Sequence, residues 1–323
     1  MSAQTIHLAS QPRPANLRPF YVRRDLLAVA DLVELCFAPS LDSDGHAYIR
    51  QMRQAARAGR WLPQPLEGDA PLMGMVWVED GVLVGNLNLI PQPRGGHTRY
   101  LIANVAVHPA YQRRGIAQQL TLAALDDLRA RGGPETWLQV DQTNATAVHL
   151  YQRLGFVEKL RRTSWRGWPP DRPARPAAGV RSRQAHDWPQ QSAWLKHSYP
   201  ADVRWQLPLN LAALQPGLQG SLHRLFGPTR TLQWSAQAAG SLRAVLTWQR
   251  TNLEADRLWL AAAADDPQPP LAALLAAASR HLEPDRKLAL NYPAGLAIPA
   301  FDAAGFTVLR TLIWMRFPWE DSF

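Results

Sequence analysis

The stretch VAVHPAYQRRGIAQQL, residues 105–120, decides how this chain is read. Apolar residues alternate up to Val107, His108-Pro109 stops the run, and Arg113 and Arg114 stand beside Gly115. Beyond the glycine, Ile116, Leu120, Ala123, Ala124 and Leu128 recur at helical spacing. A strand that feeds a helix through a turn leaves backbone N–H groups unpaired at the helix's first turn, where the helix dipole also favours negative charge. The pattern therefore predicts an anion site. Gly115 removes a side chain that would keep a phosphate at a distance, and the two arginines add positive charge. A diphosphate is the anion this turn suits. The nucleotide loop Gly-x-x-x-x-Gly-Lys-Ser/Thr occurs nowhere in the chain.

Working outward, residues 17–23 read as a strand, "DLLAVADLVELCF" and "HAYIRQMRQAARAG" as two helices, and "MGMVWVED" and "VLVGNLNLI" as strands joined by a tight turn at Asp80-Gly81. Residues 100–107 alternate as a fourth strand, 113–131 form the helix after the anion turn, and "TWLQV" is a fifth strand. A helix over 144–154 and a last strand, "FVEKLRRTSW", complete an α/β layout.

Two elements in this order resemble the GNAT superfamily of acyl-CoA-dependent N-acyltransferases. "QRRGIA" is similar to its Gln/Arg-x-x-Gly-x-Gly/Ala signature, and "NATAVHLYQRLGF", residues 144–156, is similar to its later Asn-x-x-Ala-x-x-Leu-Tyr-x-x-Leu-Gly-Phe element. The resemblance implies a mixed, mostly antiparallel central sheet flanked by helices, with the fourth and fifth strands splayed and acetyl-CoA in the gap. Its pantetheine arm would pair with the backbone of Val105, Ala106 and Val107 and contact Asn144. Its pyrophosphate would meet the turn formed by Gln112, Arg113, Arg114, Gly115, Ile116, Ala117 and Gln118. Tyr151 matches the family's general acid, which protonates the departing thiolate. No metal is implied.

The chemistry also calls for a proton acceptor. An alkyl amine of pKa about 10.4 costs roughly 4 to 5 kcal/mol to present as a neutral nucleophile at pH 7. In the branch of the family that acetylates protein N-termini, a strand-five glutamate takes the proton, and it matches Gln139 here, which cannot. Asp141, two residues on and on the same strand face, is the candidate base, directly or through a water. Ala103 and Asn104 stand where some members carry another glutamate. The family lines its acceptor cleft with the loop between the first two helices, here "APSLDSDGH", where Asp42 and Asp44 are candidates to attract an amine and are equally good capping and turn residues. The acceptor implied is a small-molecule or polypeptide amine.

"RGWPPDRPARPAAGV", residues 166–180, carries four prolines without periodicity and marks a joint. We therefore expect a GNAT acetyltransferase domain over 1–168 with a flexible lead at 1–15, a Pro-rich linker over 169–179, and a second domain over 180–323. A shift of 150 residues aligns "LQVDQTNATAVHLYQRLGF" with "LALNYPAGLAIPAFDAAGF", so Leu138 meets Leu288, Ala147 meets Ala297, Gly155 meets Gly305 and Phe156 meets Phe306. The second domain is thus expected to be GNAT-like. It also reads as stripped of chemistry: Tyr151 meets Phe301, Asn144 meets Ala294, and "ADDPQPPL" stands where the anion turn belongs, with Asp265 and Asp266 repelling phosphate and Pro269 and Pro270 lacking N–H donors.

Composition sets the frame. At 323 residues and 46% hydrophobic content, the chain is long and apolar enough for two cores. The single cysteine, Cys36, can form no internal disulfide, and no apolar run reaches the roughly 20 residues a membrane helix needs, so the expectation is a cytoplasmic protein, monomer or homodimer. The formal charge of +9 is spread, with 19 cations against 14 anions before residue 169 and 16 against 12 after it, and only three of the 35 cations are lysines. That dispersion argues against a nucleic-acid-binding protein, which stays as an alternative beside a non-catalytic acyl-CoA sensor.

Overall fold

A computed structural model describes residues 13–38, 43–58, 73–94, 96–171, 179–217, 230–266 and 268–319. The chain forms two compact units, one of residues 1–160 with 313–323 and one of residues 161–312.

In the first unit, β1 (Leu17–Pro19) leads into α1 (Val22–Phe37) and α2 (Ser43–Ala58), and then β2 (Met73–Glu79), β3 (Val82–Arg94) and β4 (His97–Val107) make an antiparallel meander. The crossover helix α3 (Ile116–Ala130) carries the chain to β5 (Thr136–Asp141), which pairs parallel to β4, and α4 (Ala145–Arg153) leads into β6 (Val157–Gly167). Alternation along β2 to β4 sends side chains to both sheet faces. Leu87, Leu89 and Val84 pack with the Ile116, Leu120, Ala124, Leu128 stripe of α3, while Val76 and Ala106 pack with Leu26, Val29, Val33, Ile49 and Met52 of α1 and α2. Gly85 is needed where α3 crosses the sheet, since a Cβ there would lie 2.9 Å from Ile116 Cγ2.

The second unit repeats the scheme with β7 (Val180–Ser182), α5 (Trp188–Ser198), β8 (Thr231–Ala238), β9 (Ser241–Gln249), β10 (Ala255–Ala262), α6 (Leu271–Ala278), β11 (Lys287–Pro293), α7 (Ile298–Ala303) and β12 (Thr307–Phe317). Again a meander ends in one parallel pair, β10 with β11, around a core that includes Trp234, Trp248, Trp259, Leu271, Leu274 and Phe301. Strands β6 and β12 each begin in one unit and end in the other, changing at residues 160–161 and 312–313. Trp314 lies edge-on to Trp137 within the first unit, and Trp165 stacks on Phe301 at 4.5 Å within the second.

The units thus part inside these two strands rather than at the Pro-rich joint. Prolines mark where backbone cannot pair, whereas unit membership follows burial, and Arg162–Gly167 pairs antiparallel with β11. Residues 172–178 of the linker and the first twelve of the chain lie outside the described residues.

Both units open on the same device. Arg18 on β1 grips Asp25 through Nη1 and Nη2 at 2.7 and 2.8 Å, and the Tyr21 N–H donates to the same carboxylate at 2.8 Å. Arg181 on β7 grips Asp187 at 2.8 and 2.8 Å, and the Gln184 N–H donates to it at 2.8 Å. Burial would raise both carboxyls, but the arginine and backbone donors outweigh it and hold them below the usual range. Among the described residues, no helix is long and apolar enough to cross a membrane.

Candidate active site

β4 and β5 pair only from Tyr100–Thr136 to Ile102–Leu138. Two residues later Asn104 takes φ 51°, and the β3–β4 register slips between Asn86 and Asn88, a bulge that bends β4 away from its neighbour. Val105, Ala106 and Val107 follow the bulge, so the backbone expected to receive a pantetheine arm borders an opened edge. One acceptor there is already engaged: the Val107 carbonyl accepts from Gln112 Nε2 at 3.2 Å and from Cys36 Sγ at 3.3 Å. Burial pushes the Cys36 thiol upward, which keeps it a donor.

At the turn, Arg113 has φ 65° and Gly115 φ 78°. A turn of mixed handedness directs successive N–H groups into one concavity. The first helical bond is from Gln119 N–H to the Gly115 carbonyl at 3.0 Å, so the amides of Ile116, Ala117 and Gln118 lie ahead of it. The backbone supplies a further reason for the glycine. Within the protein, a Cβ at Gly115 would meet nothing within 4 Å, and what the site demands is the left-handed backbone. Arg113 is exposed, whereas the Arg114 guanidinium lies 4.8 Å over Tyr111 and donates to the Ala110 carbonyl at 3.2 Å.

Asn144 caps α4, its Oδ1 accepting from the Ala147 N–H at 3.1 Å. Asp141 Oδ1 accepts from the Thr143 N–H at 2.9 Å and from its hydroxyl at 2.7 Å, so this carboxylate staples the turn into α4. Tyr151 projects from α4 into the core, 6% exposed and edge-on to Phe156. Burial raises its phenol well above the ordinary value of 10, so the hydroxyl stays protonated at neutral pH. Asp42 lies outside the described residues, and Asp44 belongs to α2.

A polar cluster that the sequence reading passed over sits beside the bulge. Asn86 Nδ2 donates to Asn88 Oδ1 at 3.0 Å and to the Asn104 carbonyl at 2.9 Å, and Asn104 Nδ2 donates to Asn88 Oδ1 at 3.1 Å. Tyr48 of α2 closes it, its Oη 3.4 Å from Asn104 Nδ2. The available signal was "GNLNL", where asparagines occupy one phase of a strand that proves covered on both faces. Among the described residues, no group of three or more His, Cys, Asp or Glu is placed to hold a metal.

Residues 30–156 match the family described as "Acetyltransferase (GNAT) family". A "Mycothiol acetyltransferase" of Streptosporangium roseum is 46% identical over 66 residues, 20% of this chain and 20% of its own. A "[Ribosomal protein bS18]-alanine N-acetyltransferase" of Salmonella typhimurium is 42% identical over 62 residues, 19% of this chain and 42% of its own. The chain thus spans less than half the length of these relatives. The solved structure of a "Tandem GNAT protein from the clavulanic acid biosynthesis pathway" superposes with a TM-score of 0.52 at 17% identity, covering 93% of this chain and 97% of that one, a likeness of fold. Over residues 30–156 the chain is thus similar to the GNAT family of acetyltransferases.

Proposed function

We propose that the first unit transfers an acetyl group from acetyl-CoA to an amine, and that the second unit does no chemistry. The observation that carries this reading is the mixed-handed turn ahead of α3 at the end of an opened β4–β5 pair, with a protonated tyrosine on the following α4. The turn's amides and Arg113 suit a pyrophosphate, and the strand edge after the bulge suits an extended amide-bearing arm. The amine nitrogen forms a bond to the thioester carbonyl carbon, the carbon–sulfur bond breaks, the thiolate takes the Tyr151 proton, the amine proton leaves to solvent, and solvent returns a proton to Tyr151. Asp141 keeps its candidacy as base through Oδ2, directly or by way of a water, since Oδ1 is held by Thr143. The relative named as a bS18-alanine N-acetyltransferase supports a nitrogen acceptor.

The test is thiol release from acetyl-CoA by the full chain against an amine panel, repeated with Tyr151→Phe and with Tyr151→Phe/Phe301→Tyr. Loss of a general acid lowers turnover by about 10² to 10⁴ with acetyl-CoA affinity kept, and the second substitution restores nothing. Full activity in Tyr151→Phe removes the acid role, and tight acetyl-CoA binding with no thiol release from any amine makes the protein a sensor.

A further inference from the structure

Asn86 and Asn88 are 0% and 2% exposed on a central strand, in a layer otherwise filled by Val76, Ala106 and the apolar faces of α1 and α2. Two buried carboxamides in such a layer cost stability unless every polar atom is satisfied. They are not all satisfied: Asn86 Oδ1 is buried with no hydrogen-bond partner among the described residues. Flipping the amide offers no relief, because Oδ1 would then face Asn88 Oδ1 and the Asn104 carbonyl, two acceptors. An oriented acceptor is therefore held in reserve at the bulge, on a residue that pairs with Ala106 near the end of β4 and whose amide nitrogen reaches back to the Asn104 carbonyl at 2.9 Å. Resting on the reading of the first unit as an acetyltransferase, that is where an acyl group would lie when the diphosphate end of its carrier occupies the turn.

We propose that Asn86, Asn88, Asn104 and Tyr48 form the acceptor subsite and that it selects a weakly basic amine, of the α-amino kind, over an alkylammonium. The Asn86 oxygen takes an N–H of the incoming amine, and Asn88 and Asn104 fix that oxygen by holding the Asn86 amide nitrogen. Carboxamides carry no negative charge to compensate a buried ammonium and cannot take its proton, so the amine must enter already neutral. An α-amine of pKa near 7.9 is about 300 times more often neutral near pH 7 than an alkyl amine of pKa near 10.4. Tyr48, 38% exposed, stands at the mouth, where the rest of the acceptor meets solvent.

The probes are alaninamide, an α-amine, and Nα-acetyl-lysinamide, an alkyl amine, each titrated calorimetrically into full-length protein saturated with CoA and each assayed for thiol release at pH 7.5. Wild type should favour alaninamide by at least about 30-fold in kcat/KM, leaving a margin below the neutral-fraction ratio. Asn86→Leu should weaken alaninamide binding about 10-fold with CoA affinity unchanged, the range for one lost hydrogen bond to a buried group. Asn104→Gly keeps the left-handed backbone and deletes the amide, and should weaken it by less. Asn86→Asp should narrow the preference between the two amines. Unchanged alaninamide affinity in folded Asn86→Leu, or equal use of both amines by wild type, overturns the subsite. Failure of CoA itself to bind overturns the acetyltransferase reading beneath it.

Discussion

Each unit begins with an arginine on its first strand clamping a buried aspartate, runs through an antiparallel meander into one parallel pair, and ends in a Gly-Phe corner of the same geometry. Phe156 N–H bonds the Tyr151 carbonyl at 3.0 Å, and Phe306 N–H bonds the Phe301 carbonyl at 3.0 Å. The aromatic pairs that follow lie edge-on at 5.9 and 6.2 Å. One difference lies at the opening beyond the parallel pair. In the first unit the chain leaves β4 through a turn with two left-handed residues, Arg113 and Gly115. In the second it leaves β10 through Asp265 and Asp266, and Asp266 is already claimed by Arg243 at 2.7 Å and by the Gln268 N–H at 3.0 Å. Asp266 thus stands in the loop ahead of α6, which starts behind two prolines that lack N–H donors. Nearby, the second core is closed by large side chains: Tyr199 packs edge-on to Trp259 at 5.3 Å, and Arg162 lies 4.9 Å over Tyr199. On the function proposed above, one frame serves two ends, an open edge in the first copy and a filled core in the second.

The comparison breaks most readily at the turn. Gly115→Glu sets a carboxylate among the first-turn amides and strains a backbone at φ 78°, and should weaken acetyl-CoA binding about 100-fold, the loss expected when charge-assisted hydrogen bonds are replaced by repulsion. Gly115→Ala, which adds the strain without the charge, should cost far less, and Asp266→Asn in the second unit should leave binding untouched. Equal losses in Gly115→Ala and Gly115→Glu, read by calorimetry, would show that backbone shape alone makes the site.

A smaller effect sharpens the likeness of the two frames. Arg18→Ala and Arg181→Ala each leave a buried carboxylate without its bidentate partner, and should destabilise their units by about 2 kcal/mol, a buried-pair cost discounted because each arginine is partly exposed. Both carboxyls are held below the ordinary range, so the stability they contribute is present above about pH 4 and is lost as the pH falls through their lowered values. Hydrogen exchange resolved by unit should show Arg18→Ala loosening the first unit and Arg181→Ala the second. Loss confined to one unit in both variants would mean that the shared clamp does unequal service.

The smallest effect is alkaline. Burial raises Tyr151 in the first unit and Tyr199 and Tyr292 in the second, with Arg162 pulling the last two the other way. Their unfolded forms ionise near pH 10, so the stability these phenols contribute is complete below that and declines as pH rises above it. Tyrosinate absorbance should appear together with loss of protection, earlier in the second unit, which buries two of the three. Ionisation of all three ahead of any loss of protection would contradict their burial.

Much of the frame was legible because period and turn chemistry state it directly. The alternation ending at Val107, the helical stripe from Ile116 and the Asp80-Gly81 turn all fall where expected, and the 150-residue repeat is matched at both ends of two strands, Val157–Gly167 and Thr307–Phe317. Less legible was anything set by partners distant in sequence. The arginine–aspartate clamps lie 163 residues apart at Arg18 and Arg181 rather than 150, so no single shift aligns them. That β6 and β12 change units partway follows from which side chains find burial, which alternation does not encode. The burial of Asn86 and Asn88 comes from α1 and α2 covering that face, which the pattern of the strand alone does not state. Asp141, the carboxylate on the expected strand face, is bound to the turn after it, as Asx residues before Thr often are.

The claim that one frame has been kept open and its copy filled is tested most directly by counting. Titration of acetyl-CoA into the chain by isothermal calorimetry should give one site per chain, weakened about 100-fold by Gly115→Glu. Two equivalent sites, or one site that survives Gly115→Glu unchanged, would place the cofactor elsewhere and contradict the account.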